Sequence, residues 1–161
     1  MLSNAVRTLL LASLALAGAC GVLDPEPWDD RRDALEYSRA VWDGTGIQDY
    51  EYRLQRSCFC PLFGELQVTV VDDSVVQAVR PDGTPVPEEE LPYVETVADL
   101  FDIIEWAIRT EAYSYQVAYH PTLGYPVLVD LDPIRNAVDD ELRLEARDLQ
   151  SWQVWGSMEG R

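Results

Sequence analysis

The chain has 161 residues and a formal net charge of −17, and apart from one histidine all of its basic residues are arginines. Such an acidic chain is repelled by nucleic-acid phosphates and by anionic lipid surfaces, which excludes nucleic-acid binding and membrane docking through a basic patch. Hydrophobic residues make up 47% of the sequence, with five tryptophans and eight tyrosines. This composition excludes a disordered chain and predicts one folded domain.

An export signal is the first feature predicted along the chain. Residues 1–8 carry one positive charge, Arg7, and no acid, and residues 9–16 form an apolar run. A run of this length is too short to cross a membrane, which takes roughly 20 apolar residues as a helix. We therefore expect residues 1–19 to be a signal peptide that is removed on export.

The signal ends in small residues that lead into a cysteine, Ala17-Gly18-Ala19-Cys20, and this pattern resembles the lipobox of bacterial lipoproteins. The resemblance implies that Cys20 is lipidated with acyl chains such as palmitate and anchors the mature chain to a membrane of the bacterial cell envelope, on its extracytoplasmic face. The membrane is then a partner through the lipid on Cys20, because two or three acyl chains give stable anchoring. The alternative is an ordinary secretory signal cut at Ala19, which leaves Cys20 free.

The remaining chain divides into a lipidated tether at residues 20–28, a single domain at residues 29–150 and a C-terminal tail at residues 151–161. Apolar residues at helical spacing predict a first helix that starts at Asp29 and ends at Gly44 and Gly46. Three strands follow, at residues 50–56, 65–71 and 75–80. A linker rich in proline and acid is predicted at residues 81–92.

A second helix has the clearest pattern in the chain. Thr96 and Asp99 have the spacing of a capping box, and one apolar face follows, formed by Val97, Leu100, Phe101, Ile104 and Ile108. Three more strands are predicted after it, at residues 113–119, 125–131 and 141–149, with a hairpin turn at residues 121–124.

This order of elements predicts an α+β fold, an antiparallel sheet with two helices on one face. One helix and three strands occur twice in succession, which fits a duplicated α-β-β-β unit. Chance similarity between two meanders explains the same order, because short strand patterns recur easily.

Several residues together resemble an uncharacterised family of bacterial lipoproteins, a domain of unknown function. They are Trp42, Tyr50, Tyr52, the C-x-C pair in Cys58-Phe59-Cys60, the segment Thr96–Phe101, the G-Y-P element Gly124-Tyr125-Pro126 and the D-D-E element Asp139-Asp140-Glu141. Family members often have aspartate where this chain has His120. The resemblance covers nearly all of the mature chain and implies one domain on a lipid anchor, without an assigned activity.

Cys58 and Cys60 are the most specific local signal of a site. Export implies an oxidising compartment, in which paired thiols tend to form a disulfide. Residues i and i+2 of a straight strand lie about 6.6 Å apart, whereas the Cβ atoms of a disulfide lie about 3.8 Å apart. A bridge therefore requires a bend at Phe59. A redox-active pair is one alternative, and metal binding by both thiols is a weaker one, without a second cysteine pair.

Acidic residues concentrate between and around the last two predicted strands, at Asp130, Asp132, Asp140 and Glu141. Their spacing partly matches a calcium-binding loop, but Arg135 stands where that loop needs glycine. A solvated acidic hairpin is the plainer interpretation, and a weak calcium site is the alternative.

No catalytic residue is predicted. The only histidine, His120, precedes a proline at a turn and is expected to be a solvated loop residue. No phosphate loop, dinucleotide fingerprint or zinc-protease motif is present, so the sequence predicts no cofactor. It favours a non-catalytic binding module for an unknown envelope protein or component. The alternatives are an envelope enzyme, either a thiol oxidoreductase using Cys58 and Cys60 or an unrecognised hydrolase, and a structural or assembly factor of the envelope.

Overall fold

The computed structural model describes residues 27–60, 62–137 and 139–152. The elements, in chain order, are α1 (Pro27–Asp43), β1 (Tyr50–Ser57), β2 (Gly64–Val71), β3 (Ser74–Val79), a 3₁₀ helix (Glu88–Tyr93), α2 (Val97–Arg109), β4 (Ser114–Tyr119), β5 (Pro126–Asp132) and β6 (Leu142–Ser151). Both helices and all six strands agree with the sequence prediction to within about two residues at each bound. The linker prediction was incomplete, because part of that segment folds as the 3₁₀ helix.

The six strands form one antiparallel sheet in the order β3-β2-β1-β6-β5-β4. Two meanders, β1 to β3 and β4 to β6, meet where β1 pairs with β6. β1 therefore lies at the centre of the sheet, whereas β4, which has the corresponding place in the second meander, lies at an edge. The two halves are not in equivalent positions, and the structure does not show a duplication.

Both helices cover one face of the sheet, as predicted. Along β1, the buried residues Tyr50, Tyr52 and Leu54 alternate with more exposed ones, because successive side chains of a strand point to opposite faces. α2 packs on the buried face with the five apolar residues that the sequence predicts, each at most 4% exposed. α1 joins the same core through Trp42, whose ring packs edge-on against Tyr50 at a centroid distance of 5.6 Å. The other face of the sheet is polar.

The strand directions bring two loops together at one end of the sheet. Ser57, the last residue of β1, pairs with Arg143 in β6, and Leu131 near the end of β5 pairs with Leu142 at the start of β6. The β1–β2 loop and the β5–β6 loop therefore lie at the same end.

α1 begins at that end as well. Its first turn carries Trp28, which packs edge-on against Tyr115 with ring centroids 5.7 Å apart. Tyr115 is the second residue of β4, and Ser114 before it pairs with Asp132 at the end of β5. We call this end of the sheet, where the predicted tether leads into α1, the tether end. The opposite end, with the β2–β3 and β4–β5 turns, is called the far end.

Among the described residues, no helix is long and apolar enough to cross a membrane.

Candidate functional site

The two cysteines lie at the tip of the β1–β2 hairpin, at the tether end. The chain bends at residues 58–60, directly after β1, and the structure holds Cys58 and Cys60 at disulfide distance with their Cα atoms 5.2 Å apart. This separation is shorter than the roughly 6.6 Å of a straight strand, so the bend brings the two side chains together. Phe59 between them is 85% exposed, and Phe63 in the same loop is 72% exposed.

A buried ion pair lies directly before this loop in the chain. Arg56, on the buried face of β1, donates from Nη2 to Oε1 of Glu95 at 3.1 Å, and the two side chains are only 9% and 13% exposed. Arg56 Nε and Nη1 and Glu95 Oε2 are buried without a hydrogen-bond partner among the described residues. Burial raises the pKa of Glu95, and the positive charge of Arg56 opposes that rise. Each charge therefore depends on the other for its compensation.

Two buried tyrosines fix the segment that carries Glu95. The hydroxyl of Tyr52 donates to the carbonyl oxygen of Glu95, and the hydroxyl of Tyr50 accepts a hydrogen bond from the Val97 backbone N–H at 2.9 Å. Burial raises the pKa of both hydroxyls above its ordinary value, so both stay neutral at physiological pH. The two tyrosines act as fixed polar contacts between β1 and the start of α2.

The predicted capping box is present at the start of α2. The backbone N–H of Asp99 donates to Oγ1 of Thr96 at 3.2 Å, and the backbone N–H of Thr96 donates to Oδ2 of Asp99 at 2.8 Å. These bonds satisfy two N–H groups that a helix start otherwise leaves unpaired. The segment from Glu95 to Asp99 is therefore held from both sides.

An aromatic groove of about 500 Å³ runs beside this segment. The 3₁₀ helix contributes Tyr93, α2 contributes Ile103 and Trp106, β6 contributes Leu142, and Glu95 also lines the groove. Tyr93 is 70% exposed and Trp106 is 40% exposed, so both rings are accessible from solvent. Because Glu95 belongs to the buried pair as well, that pair fixes one residue in the wall of the groove.

A wider groove of about 800 Å³ lies on the other side of the same segment, along the edge strand β3. Its lining is made mainly of aliphatic and polar residues and contains no aromatic side chain. Aromatic anchors dominate the energetics of protein recognition sites. The smaller aromatic groove is therefore the stronger candidate for a binding site.

A family model described as "Family of unknown function (DUF6174)" matches residues 34–151, which is most of the chain. The chain belongs to this family. The matched range includes the ion pair, the cysteine loop and the aromatic groove. No curated protein and no solved structure matches the chain.

The acidic candidates for a calcium site in this DUF6174 domain are not brought together. Asp130 accepts a hydrogen bond from Arg143 at 2.5 Å, and Asp140 accepts one from the Ile134 backbone N–H at 3.1 Å. Asp132 is half-buried at the end of β5, and Glu141 is exposed. In the part of the chain that the structure describes, no three acidic, histidine or cysteine side chains are grouped as metal ligands. The segment is an acidic loop between two strands.

His120 is a turn residue, as predicted, but it is half-buried rather than solvated. Its Nδ1 accepts hydrogen bonds from the backbone N–H groups of Thr122 and Leu123 at 3.3 and 3.0 Å, and its ring stacks on Tyr125 at 5.0 Å. The side chain organises the β4–β5 turn at the far end of the sheet. It is not part of the cysteine loop or the aromatic groove.

Cys20, the predicted lipidation site, lies outside the described residues, together with the rest of residues 1–26 and Trp155.

The sequence analysis did not predict the Arg56–Glu95 pair. The signal was present, because Arg56 continues the alternation of Tyr50, Tyr52 and Leu54 and so occupies an inward position of β1. A charged residue at such a position needs a buried partner of opposite charge. The sequence offers no way to choose that partner, since Glu95 lies 39 residues away.

Proposed function

We propose that this DUF6174 domain is a lipid-anchored, extracytoplasmic binding module that recognises an envelope protein or component without catalysing a reaction on it. The aromatic groove carries the proposal. It presents two accessible aromatic rings, Tyr93 and Trp106, which come before and after the segment that the buried ion pair and the capping box hold in place. A preformed apolar site with a few fixed polar groups is typical of ligand recognition.

The anchor rests on the sequence around Cys20 and can be tested on its own. In Cys20→Ser, we expect labelled palmitate to be absent from the protein and the precursor to accumulate uncut, because the thiol that accepts the lipid is gone. Gel fluorography of cells grown with the labelled fatty acid measures both effects.

The matched control is the double variant Cys58→Ser with Cys60→Ser, which removes the other two cysteines of the chain. It should keep the label at the level of the unaltered protein. Palmitate that persists in Cys20→Ser would refute the anchor.

The groove is tested by cross-linking in intact cells. A photoreactive phenylalanine analogue placed at Trp106 should give a discrete adduct, and Tyr93→Ala should lower its yield by about thirtyfold, because truncating an aromatic anchor costs about 2 kcal/mol of binding. Tyr93 is 70% exposed, so the same substitution should change the free energy of unfolding by only about 0.5 kcal/mol. Immunoblotting measures the adduct, and urea unfolding measures the stability.

Tyr37 provides the control position for the cross-linker, since it is 73% exposed on α1 and does not line the groove. Equal adducts from positions 37 and 106, or none from 106, would count against the groove. The adduct should survive replacement of Cys58 and Cys60 by serine. Its loss in that variant would favour the thiol oxidoreductase instead.

A further inference from the structure

Exposed hydrophobic side chains are concentrated at the tether end of the sheet. Phe59 and Phe63 in the β1–β2 loop are 85% and 72% exposed, Ile134 in the β5–β6 loop is 62% exposed, and Tyr113 just before β4 is 57% exposed. At the far end, the described turns present Asp72 and Asp73 and the half-buried turn of His120, and the exposed large hydrophobic residues described near it include Val76 in β3 and Trp152. Scattered apolar residues on a surface are ordinary, whereas a group at one end of a domain marks an interaction surface.

The cysteine loop keeps its phenylalanine on the outside. Phe59 lies between Cys58 and Cys60 and is 85% exposed, and a bridge between the two cysteines closes a small ring that limits the backbone conformations of the loop. The space under the loop is already occupied by Leu62, which is 3% exposed. A loop that is fixed in its binding conformation loses little entropy on contact.

The chain enters the domain at this same end. Trp28 packs on Tyr115 at the start of β4, and the guanidinium of Arg31 lies over both rings, 4.1 and 4.6 Å from their centroids. Pro27 follows Cys20 by seven residue steps, so the tether spans at most about 25 Å at 3.3–3.6 Å per step. Because the tether is so short, the tether end is the part of the domain that lies nearest to the anchor.

We infer that the tether end rests on the lipid bilayer, with Phe59 and Phe63 inserted into the headgroup region and Ile134 and Tyr113 beside them. The inference rests on the proposed lipid anchor, which supplies both the membrane and the orientation. Phenylalanine side chains bury well at the boundary between headgroups and acyl chains, and tyrosine rings favour the headgroup zone. Arg135 lies over the ring of Tyr113 at 5.6 Å and has a stem long enough to keep its charge at the headgroups.

The charges of the two loops at the tether end indicate which kind of lipid this surface binds. The β1–β2 loop contains no ionisable side chain other than its cysteines, whereas the neighbouring β5–β6 loop contains Asp139, Asp140 and Glu141. Contact with the bilayer is therefore apolar, and a strongly anionic surface weakens it. Vesicles of zwitterionic phosphatidylcholine are the suitable probe.

A fluorescent reporter tests the orientation of the full mature protein. In Phe63→Trp, reconstituted through its own lipid into phosphatidylcholine vesicles, the added emission should be shifted to the blue and quenched by brominated phosphatidylcholine. Tyr37→Trp, an equally exposed position on the outside of α1, should add emission that brominated lipid leaves unquenched. Both substitutions are on the surface, so both variants should fold.

The outcomes separate the two proposals. Acyl mass on Cys20 together with unquenched emission from Phe63→Trp overturns the docking and leaves the anchor intact. A mature chain that carries no acyl mass overturns the anchor, and the docking with it. A blue shift that grows with protein density but does not respond to brominated lipid assigns the patch to a second copy of the chain and also overturns the docking.

Discussion

Arg56→Ala is expected to lower the free energy of unfolding by about 3–5 kcal/mol, because it leaves the carboxylate of Glu95 buried without its counter-charge. Glu95 is 13% exposed and its Oε2 has no hydrogen-bond partner among the described residues, so water cannot easily replace the guanidinium. Urea unfolding monitored by far-UV circular dichroism measures the loss. A loss below about 1 kcal/mol would show that the pair behaves like a surface ion pair.

Arg53→Ala is the matched control on the same strand. Arg53 pairs with Asp148 on the opposite, polar face of the sheet, and these two side chains are 47% and 53% exposed. We expect it to cost about 0–1 kcal/mol. The double variant Arg56→Met with Glu95→Gln should recover most of the lost stability, because it removes both buried charges at similar volume.

The loss in free energy of unfolding caused by Arg56→Ala should also depend on pH. Burial already raises the pKa of Glu95 above its ordinary value of 4.5, and Arg56 is the main opposing influence. Without Arg56, the pKa of Glu95 in the folded state rises further above its pKa in the unfolded state. The variant therefore keeps its stability at a pH below the unfolded-state pKa, where the carboxyl group is protonated in both states. It loses stability as the pH rises through the folded-state pKa, because the folded protein then holds a buried charge. The difference between the variant and the unaltered protein should therefore be smaller at about pH 4 than at pH 7. A deficit that is constant over this range would argue that Arg56 acts only through packing.

The elements were predictable because their signals are local. Alternation of buried and exposed residues gives β1, and the capping box with one apolar face gives α2. The β2–β3 turn is also encoded locally, since Asp72 and Asp73 both take the positive φ that this tight hairpin requires, +48° and +57°. Patterns with a period of a few residues do not depend on the rest of the fold.

The arrangement of the elements was less predictable. The pairing of β1 with β6 joins segments more than 80 residues apart, such as Leu54 and Ala146, and no local pattern encodes it. The same holds for the aromatic groove, whose residues Tyr93, Trp106 and Leu142 come from three separate elements. The cysteine loop was predictable as far as its bend, because the geometry of i and i+2 residues demands one. The exposure of Phe59 and Phe63 was not, since it depends on what the core leaves uncovered.

The G-Y-P element named in the sequence resemblance has a physical explanation at the far end of the sheet. Gly124 has φ +79° and packs against the C-terminal half of α1, so closely that an added Cβ would lie 2.4 Å from the Ser38 carbonyl oxygen and 2.9 Å from Val41 Cβ. Tyr125, the next residue, packs edge-on against Trp42 with ring centroids 6.0 Å apart. The glycine thus allows the turn to approach the helix, and the tyrosine fills the space beside it.

Gly124→Ala is therefore expected to cost about 2–5 kcal/mol, of which about 1–2 come from alanine at positive φ and about 1–3 from overpacking against α1. Gly83→Ala isolates the first contribution, because Gly83 has a similar φ of +85° and nothing lies within 4 Å of its added Cβ. The free energy of unfolding of Gly83→Ala should therefore fall by only about 1–2 kcal/mol. Urea unfolding gives both values, and near-UV circular dichroism reports whether the packing of Trp42 on Tyr125 changes. Equal losses in the two variants would mean that α1 shifts easily to accommodate the added methyl group. The close approach of the turn to the helix would then not be what requires glycine at position 124.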